Sequence, residues 1–170
     1  EPLGNRVFFY SSLSELALAE GLAFNRGCLG MTGFIVGDRL TADIDHGPAY
    51  ARWLRERPEL FCGTRSLARV AVYRSFSSLA WNSLQPHLEA ILAEQTLIEH
   101  HIPFDLITCL ESLPYDTLVL PGTECIAEAE INTLKDFVTQ GGHLLLTGAA
   151  GQYDGWRRRW PTDPFAEFAD

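Results

Sequence analysis

Between residues 66 and 148, short apolar runs alternate with longer periodic segments, and this alternation constrains the fold more than any other feature of the chain. Arg69-Val-Ala-Val-Tyr-Arg74 predicts a strand, as do Phe104-Asp-Leu-Ile107, Thr117-Leu-Val-Leu120 and Leu144-Leu-Leu146. The run at 117–120 is apolar without a break, as in a strand covered on both faces. A polar, aromatic loop through Trp81 then leads to Ser83, a candidate N-cap, with Pro86 tolerated in the first turn. From there Leu84, Leu88, Ile91, Leu92 and Ile98 fall on one face of a helix running to about His100. Ala127, Ile131, Leu134 and Val138 form a second stripe, with Glu128 and Glu130 in the first turn and Gly141-Gly142 as the stop. Strands and helices in this order predict an α/β fold, a parallel sheet flanked by helices.

The composition changes near residue 65, which divides the chain into 1–65 and 66–170. In the first part Val7-Phe-Phe-Tyr10 suits a buried strand, and Leu13, Leu16, Ala17, Glu20 and Ala23 come after it at mostly helical spacing. Cys28 to Val36 is apolar but punctuated by glycine, which suits a strand or a loop where backbone passes close to something else. Thr41 to Pro48 is polar and turn-forming, a loop. Ala49 to Arg57 predicts a short amphipathic helix carrying Tyr50, Trp53 and Leu54 on one side and stopped by Pro58. After Gly148 the chain turns polar and rich in Gly, Arg and Pro, without another clear strand.

The 170 residues, 46% of them hydrophobic, suffice for one packed core or for an incomplete domain with a flanking piece. The net charge of −9 argues against general affinity for nucleic acid or anionic membrane, which needs clustered positive charge. No run approaches the roughly 18 apolar residues of a membrane helix. The four cysteines, Cys28, Cys62, Cys109 and Cys125, lie far apart with no zinc spacing, so free thiols in a reducing compartment, the cytoplasm, are expected. The chain begins at Glu1 and its only methionine is Met31, so a processed product or part of a longer polypeptide is expected.

Leu113-Pro-Tyr-Asp-Thr-Leu-Val-Leu-Pro-Gly122, the acidic helix after it, and Phe137-Val-Thr-Gln-Gly-Gly-His-Leu-Leu-Leu-Thr-Gly148 together resemble the class I glutamine-amidotransferase-like fold. More narrowly they resemble the β-galactosidase trimerisation domain that comes after the catalytic barrel in one group of glycoside hydrolases. The segment Gly151-Gln-Tyr-Asp-Gly-Trp156 through Trp160-Pro-Thr-Asp-Pro-Phe165 resembles the stretch after this strand in such proteins, and Tyr50 to Tyr73 resembles the junction with the barrel. The resemblance implies a flavodoxin-like three-layer domain over 66–170, incomplete at its C-terminus, preceded over 1–65 by the end of a (β/α)8 barrel. It also implies a bacterial glycoside-hydrolase-like parent, a homo-oligomer, and carbohydrate as a partner of the parent alone. Most of the barrel is absent, and with it the paired carboxylates of glycoside hydrolysis.

Relatives with this fold do acyl-transfer chemistry where a nucleophile sits on a tight turn after a central strand. Here that turn reads Thr147-Gly-Ala-Ala-Gly151, with no Cys or Ser at its apex. No catalytic, cofactor-binding or metal-binding residue is therefore assigned, and a non-catalytic assembly role is expected, within a hydrolase-like parent or as a separate oligomerisation module. The alternative is a free-standing amidotransferase-like or ThuA-like enzyme or small-molecule binder. Its reactive residue would be Cys125, which precedes a helix N-terminus able to lower a thiol's pKa; the ordinary reading is a partly buried structural thiol. His100-His101 point about 100° apart on a helix and suit its C-terminus better than one metal ion. Asp43, Asp45 and His46 read as a solvated loop before a cation or sugar contact. Trp156-Arg-Arg-Arg-Trp160 reads as a loop packing on a neighbouring domain or subunit rather than on nucleic acid.

Overall fold

The computed structural model describes residues 10–11, 31–32, 34–36, 39–41, 49, 52–53, 55–60 and 65–168. The chain divides into two compact units, Glu1–Arg65 and Ser66–Asp170. In the first, β1 (Tyr10–Ser11) pairs in parallel with β2 (Met31–Thr32), Tyr10 opposite Met31. Strands β3 (Phe34–Val36) and β4 (Arg39–Thr41) pair antiparallel, with Ile35 opposite Leu40. Thr41 therefore ends a strand instead of opening a loop. Ala49, Arg52, Trp53 and Arg55 are helical, and Pro58–Leu60 is a single 3-10 turn. The Arg57 guanidinium stacks over the Trp53 ring at 5.2 Å. The helix expected over 13–23 lies outside the described residues.

The second unit is a four-stranded parallel sheet. Its strands are β5 (Val70–Tyr73), β6 (Phe104–Ile107), β7 (Thr117–Pro121) and β8 (His143–Thr147), in the spatial order β6-β5-β7-β8. Val70 sits opposite both Phe104 and Thr117, and Thr117 opposite His143. This is the strand order of a doubly wound sheet, in which the chain reverses direction between β5 and β7.

Helix α1 (Phe76–Trp81) occupies the stretch that the sequence predicts as a loop. Its N-cap is Ser75, whose hydroxyl accepts from the Ser78 amide, a local bond that makes a six-residue helix tenable. Helix α2 (Gln85–Glu99) begins two residues after the expected cap, Ser83. The cap position is Leu84, and the Asn82 side chain accepts from the Gln85 amide at 3.4 Å. The apolar face expected from the spacing is not the one that meets the sheet: Pro86 and Ala90 are buried, while Leu84, Leu88, Ile91, Leu92 and Ile98 are exposed. Two small side chains let the helix backbone approach the strands closely, and the larger ones turn outward.

Helix α3 (Glu128–Thr139) lies where the spacing predicts it and buries Ile131, Leu134 and Phe137. The Glu130 carboxylate accepts from the Ala127 amide at 2.7 Å, supplying the start of the helix with a partner its own cap residue cannot offer. At the other end the Gly142 amide donates to the Phe137 carbonyl and the Gly141 amide to that of Val138, both at 2.9 Å, with Gly141 at φ +95°. That paired arrangement closes the helix and needs a left-handed residue. Ala71, Tyr73, Leu118, Leu120, Ile126, Ile131, Leu134 and Phe165 form one core cluster, with Leu144, Leu146 and Trp160 packed against it. Leu118, Leu120, Ile126 and Leu134 are fully buried, each contributing about 1.5–3 kcal/mol relative to exposure.

Candidate functional site

In a doubly wound sheet the place to look for chemistry is the crevice outside the carboxyl ends of the strands flanking the reversal. Here that place is bounded by Arg74 and Ser75 after β5 and by Gly122 to Cys125 after β7. It is filled by the protein itself. Ser75, Ser78, Thr123, Glu124 and Cys125 are all buried. Between Tyr73, Ser75, Ser78, Pro86 and Pro121 a cavity of about 10 Å³ remains, the size of a single water.

Two serines hold the backbone after β7. Ser78 Oγ accepts from the Cys125 amide at 2.9 Å, and both Ser75 Oγ and Ser78 Oγ reach the Cys125 carbonyl at 3.2 Å. The segment after Gly148 closes over the same place, with Tyr153 bridged to Cys125 on one side and to Arg159 on the other. Glu124 anchors that closure. Its Oε1 accepts from Asn82 at 2.7 Å, and its Oε2, which has no hydrogen bond, lies 3.6 Å from an Arg157 nitrogen. Arg157, itself at φ +61°, donates to the Trp81 carbonyl at 2.7 Å and stacks over Tyr153 at 5.7 Å.

Glu89 does the corresponding work beside β8. Its carboxylate accepts from Gln85 at 2.9 Å and lies 3.4 Å from Thr147 Oγ1. It packs directly over Gly122 and Gly148, which have φ of +53° and +61°, and a Cβ on Gly148 would overlap it. The turn after β8 thus begins with a glycine packed against an acidic side chain.

Cys125 is fully buried, and its thiol is pushed up from its ordinary pKa by burial and then by the neighbouring Glu124 carboxylate. Burial thus opposes the activation that the alternative reading draws from a helix N-terminus, and α3 begins three residues later, at Glu128. Among the described residues the exposed thiol is that of Cys109. His100 caps α2 and His101 comes next in the left-handed region at φ +55°. The His101 amide donates to the Ile98 carbonyl and the Ile102 amide to that of Leu97, so the pair closes a helix. The Trp-Arg cluster does not form one surface. Trp160 packs against the core, Trp156 is exposed, Arg157 is held by Glu124, and Arg158 is tied to Asp154 at 2.7 Å. Asp43, Asp45 and His46 lie outside the described residues.

At the opposite, N-terminal end of the strands an open groove of about 570 Å³ runs past Arg69, Tyr115, Asp116, Phe137 and His143. Arg69 and Asp116 form an ion pair there, and the guanidinium holds the Asp116 carboxyl below its ordinary pKa. Among the described residues no helix is long and apolar enough to cross a membrane, and no group of three potential ligands is placed to hold a metal ion. Sequence reasoning did not single out Glu89, Glu124, Ser75 or Ser78. The one available signal was the pair of strand-end glycines, Gly122 and Gly148, which mark close approach by something else.

Residues 93–165 match the family model of the β-galactosidase trimerisation domain. No curated protein matches the chain. Among solved structures, the chain is similar to a β-galactosidase from Bacillus circulans sp. alkalophilus, at TM-score 0.62 and 18% identity over 76% of this chain and 22% of that one. It is similar to a polyextremophilic β-galactosidase from the Antarctic haloarchaeon Halorubrum lacusprofundi, at TM-score 0.59 and 23% identity over 73% of this chain and 20% of that one. An α-L-fucosidase isoenzyme 2 from Paenibacillus thiaminolyticus has TM-score 0.56 and 22% identity over 78% of this chain and 21% of that one. At these identities the likeness is one of fold, and the chain spans about a fifth of the length of those proteins.

Proposed function

We propose, starting from the match of residues 93–165 to the β-galactosidase trimerisation domain, that this chain is a non-catalytic assembly piece of a glycoside-hydrolase-like protein. Residues 66–170 are the trimerisation-type unit, with a class I glutamine-amidotransferase-like, flavodoxin-like fold, and residues 1–65 are the end of the preceding (β/α)8 barrel. The parent hydrolyses a glycosidic bond with two carboxylates that lie elsewhere, binds carbohydrate there, and works as a homo-oligomer in the cytoplasm. One observation carries the reading: the crevice where a doubly wound sheet would hold a substrate is occupied by Ser75, Ser78, Glu124 and Cys125. A domain that has filled its own site with core has its surface left for contacts with other subunits.

The alternative with Cys125 as a nucleophile needs an accessible, easily ionised thiol, and burial works against both. The test is light scattering on the 170-residue chain together with an assay on a chromogenic aryl β-galactoside. A mass that is a multiple of the chain, with the galactoside left intact, supports the reading. A monomer at every concentration, or turnover lost on Cys125→Ser, overturns it.

A further inference from the structure

The carboxylate of Glu89 is seated in a place that the backbone makes for it. The turns after β7 and β8 stand side by side, the Gly122 amide donating to the Thr147 carbonyl at 3.2 Å, and each sets a left-handed glycine beneath the same carboxylate. A Cβ on Gly122 would stand 2.9 Å from Cδ and Oε2 of Glu89, and one on Gly148 would overlap Cδ and both oxygens. Gln85 Nε2 donates to Oε1 at 2.9 Å, and Thr147 Oγ1 lies 3.4 Å from Oε2. Among the described residues no cation forms an ion pair with Glu89. Left-handed turns make the concave backbone surfaces in which anions are bound, and the carboxyl ends of neighbouring parallel strands are where a doubly wound sheet receives its ligands.

We infer that these two turns are a binding site for a small carboxylate, and that Glu89 is its built-in ligand, an autoinhibitory contact that keeps the site closed to free acids. Nothing in this depends on how the chain assembles. The chemistry of the ligand is that of the group already in place. Its two donors, an amide and a hydroxyl, are neutral, and the chain carries −9, so a singly charged group suits the place better than a doubly charged one. The occupant is also detachable. The crevice between β5 and β7 is closed by buried groups, whereas Glu89 is half-buried and reaches its seat from α2 as the far end of a flexible side chain. Shortening that side chain leaves both turns standing and the seat vacant. While it is present, its tether holds it there at an effective concentration that a free acid does not match.

The test follows the urea midpoints of the 170-residue chain and of its Glu89→Ala variant as sodium acetate replaces sodium chloride at constant ionic strength, with circular dichroism to establish folding. The expected result is a saturable rise of the Glu89→Ala midpoint beyond any change in the parent chain. Glu89→Gln, whose amide still fills the seat, is expected to behave as the parent does. Thr147→Val in the Glu89→Ala background is expected to weaken the acetate response several-fold. If Glu89→Ala is unfolded in chloride, folding restored by acetate is the same result. A Glu89→Ala midpoint that moves no more than the parent's overturns the inference, as does an unfolded variant that acetate fails to restore. An equal response in Glu89→Gln, or one that Thr147→Val leaves intact, overturns it too, because acetate then acts elsewhere.

Discussion

Ser78 Oγ accepts the amide proton of Cys125 across 47 residues of sequence, at 2.9 Å, and lies 3.2 Å from the carbonyl of the same residue. One hydroxyl on a short helix thereby stands in for a neighbouring strand at the point where β7 ends. Both residues are buried, so bulk solvent does not compete for the bond. Ser78→Ala is expected to leave the Cys125 amide without a partner and to lower stability by about 1–3 kcal/mol. Urea unfolding checks this: a shift of the midpoint to lower urea at unchanged slope is expected, and an unchanged midpoint contradicts it.

Gly148 and Gly141 both have positive φ, but only Gly148 faces a side chain, the Glu89 carboxylate; within 4 Å of a Cβ on Gly141 there is nothing. Alanine at either position incurs backbone strain of about 1–3 kcal/mol. Gly148→Ala is expected to cost more than Gly141→Ala, and the excess is expected to shrink in a Glu89→Ala background. Thermal unfolding of the single and double variants measures that coupling; strict additivity would show that Glu89 does not define the space.

The two described thiols differ in access, Cys109 exposed and Cys125 buried. Iodoacetamide on the folded chain is expected to label Cys109 and to spare Cys125 until denaturant is added. Peptide mass spectrometry reads each site separately, and early labelling of Cys125 would contradict the closed crevice.

His101 occupies a left-handed position, φ +55°, that closes α2. A side chain there costs roughly 1 kcal/mol relative to glycine. His101→Gly is expected to raise the unfolding free energy by about that amount, read as a higher urea midpoint at unchanged slope; an unchanged or lower midpoint contradicts it.

The Tyr73 hydroxyl donates to Glu130, and burial together with that carboxylate raises the phenol's pKa well above its ordinary value. The folded chain thus keeps the proton at pH values where the unfolded chain has released it. The sign comes from linkage: the contribution is fully present below about pH 10 and is lost as pH rises above it. Urea midpoints measured into the alkaline range should fall more steeply for the parent chain than for Tyr73→Phe. Parallel profiles would mean that Tyr73 titrates normally.

Much of the α/β unit was legible because its signals are local. The strand at Phe104–Ile107 and the helix at Glu128–Thr139, with its acidic start and glycine stop, are written in spacings of two and 3.6 residues and in caps a few residues away. The same local repeat predicted α2 but could not say which of its faces meets the sheet. Leu88 and Ile98 look like core in sequence, and Ala90 looks incidental; the tight approach of helix to strand reverses those roles. Helix α1 was missed because six residues are too short to show a period; its Ser75 cap is local, whereas the anchoring of Ser75 and Ser78 on the Cys125 backbone comes from about 50 residues away.

By itself, then, the sequence determined the order of β5, α2, β6, β7, α3 and β8, the parallel α/β class, the likeness to a trimerisation domain and the lack of a nucleophile at the turn after β8. Each of these depends on residue identity or on neighbours along the chain. Only the tertiary structure decided that Glu89 lies over Gly122 and Gly148, that Glu124 and Arg157 close the crevice, that Cys125 is sealed, and that the leucines of α2 face outward. Those outcomes depend on which strand ends the topology brings together, and side chains far apart in sequence acquire their roles when burial brings them against one another.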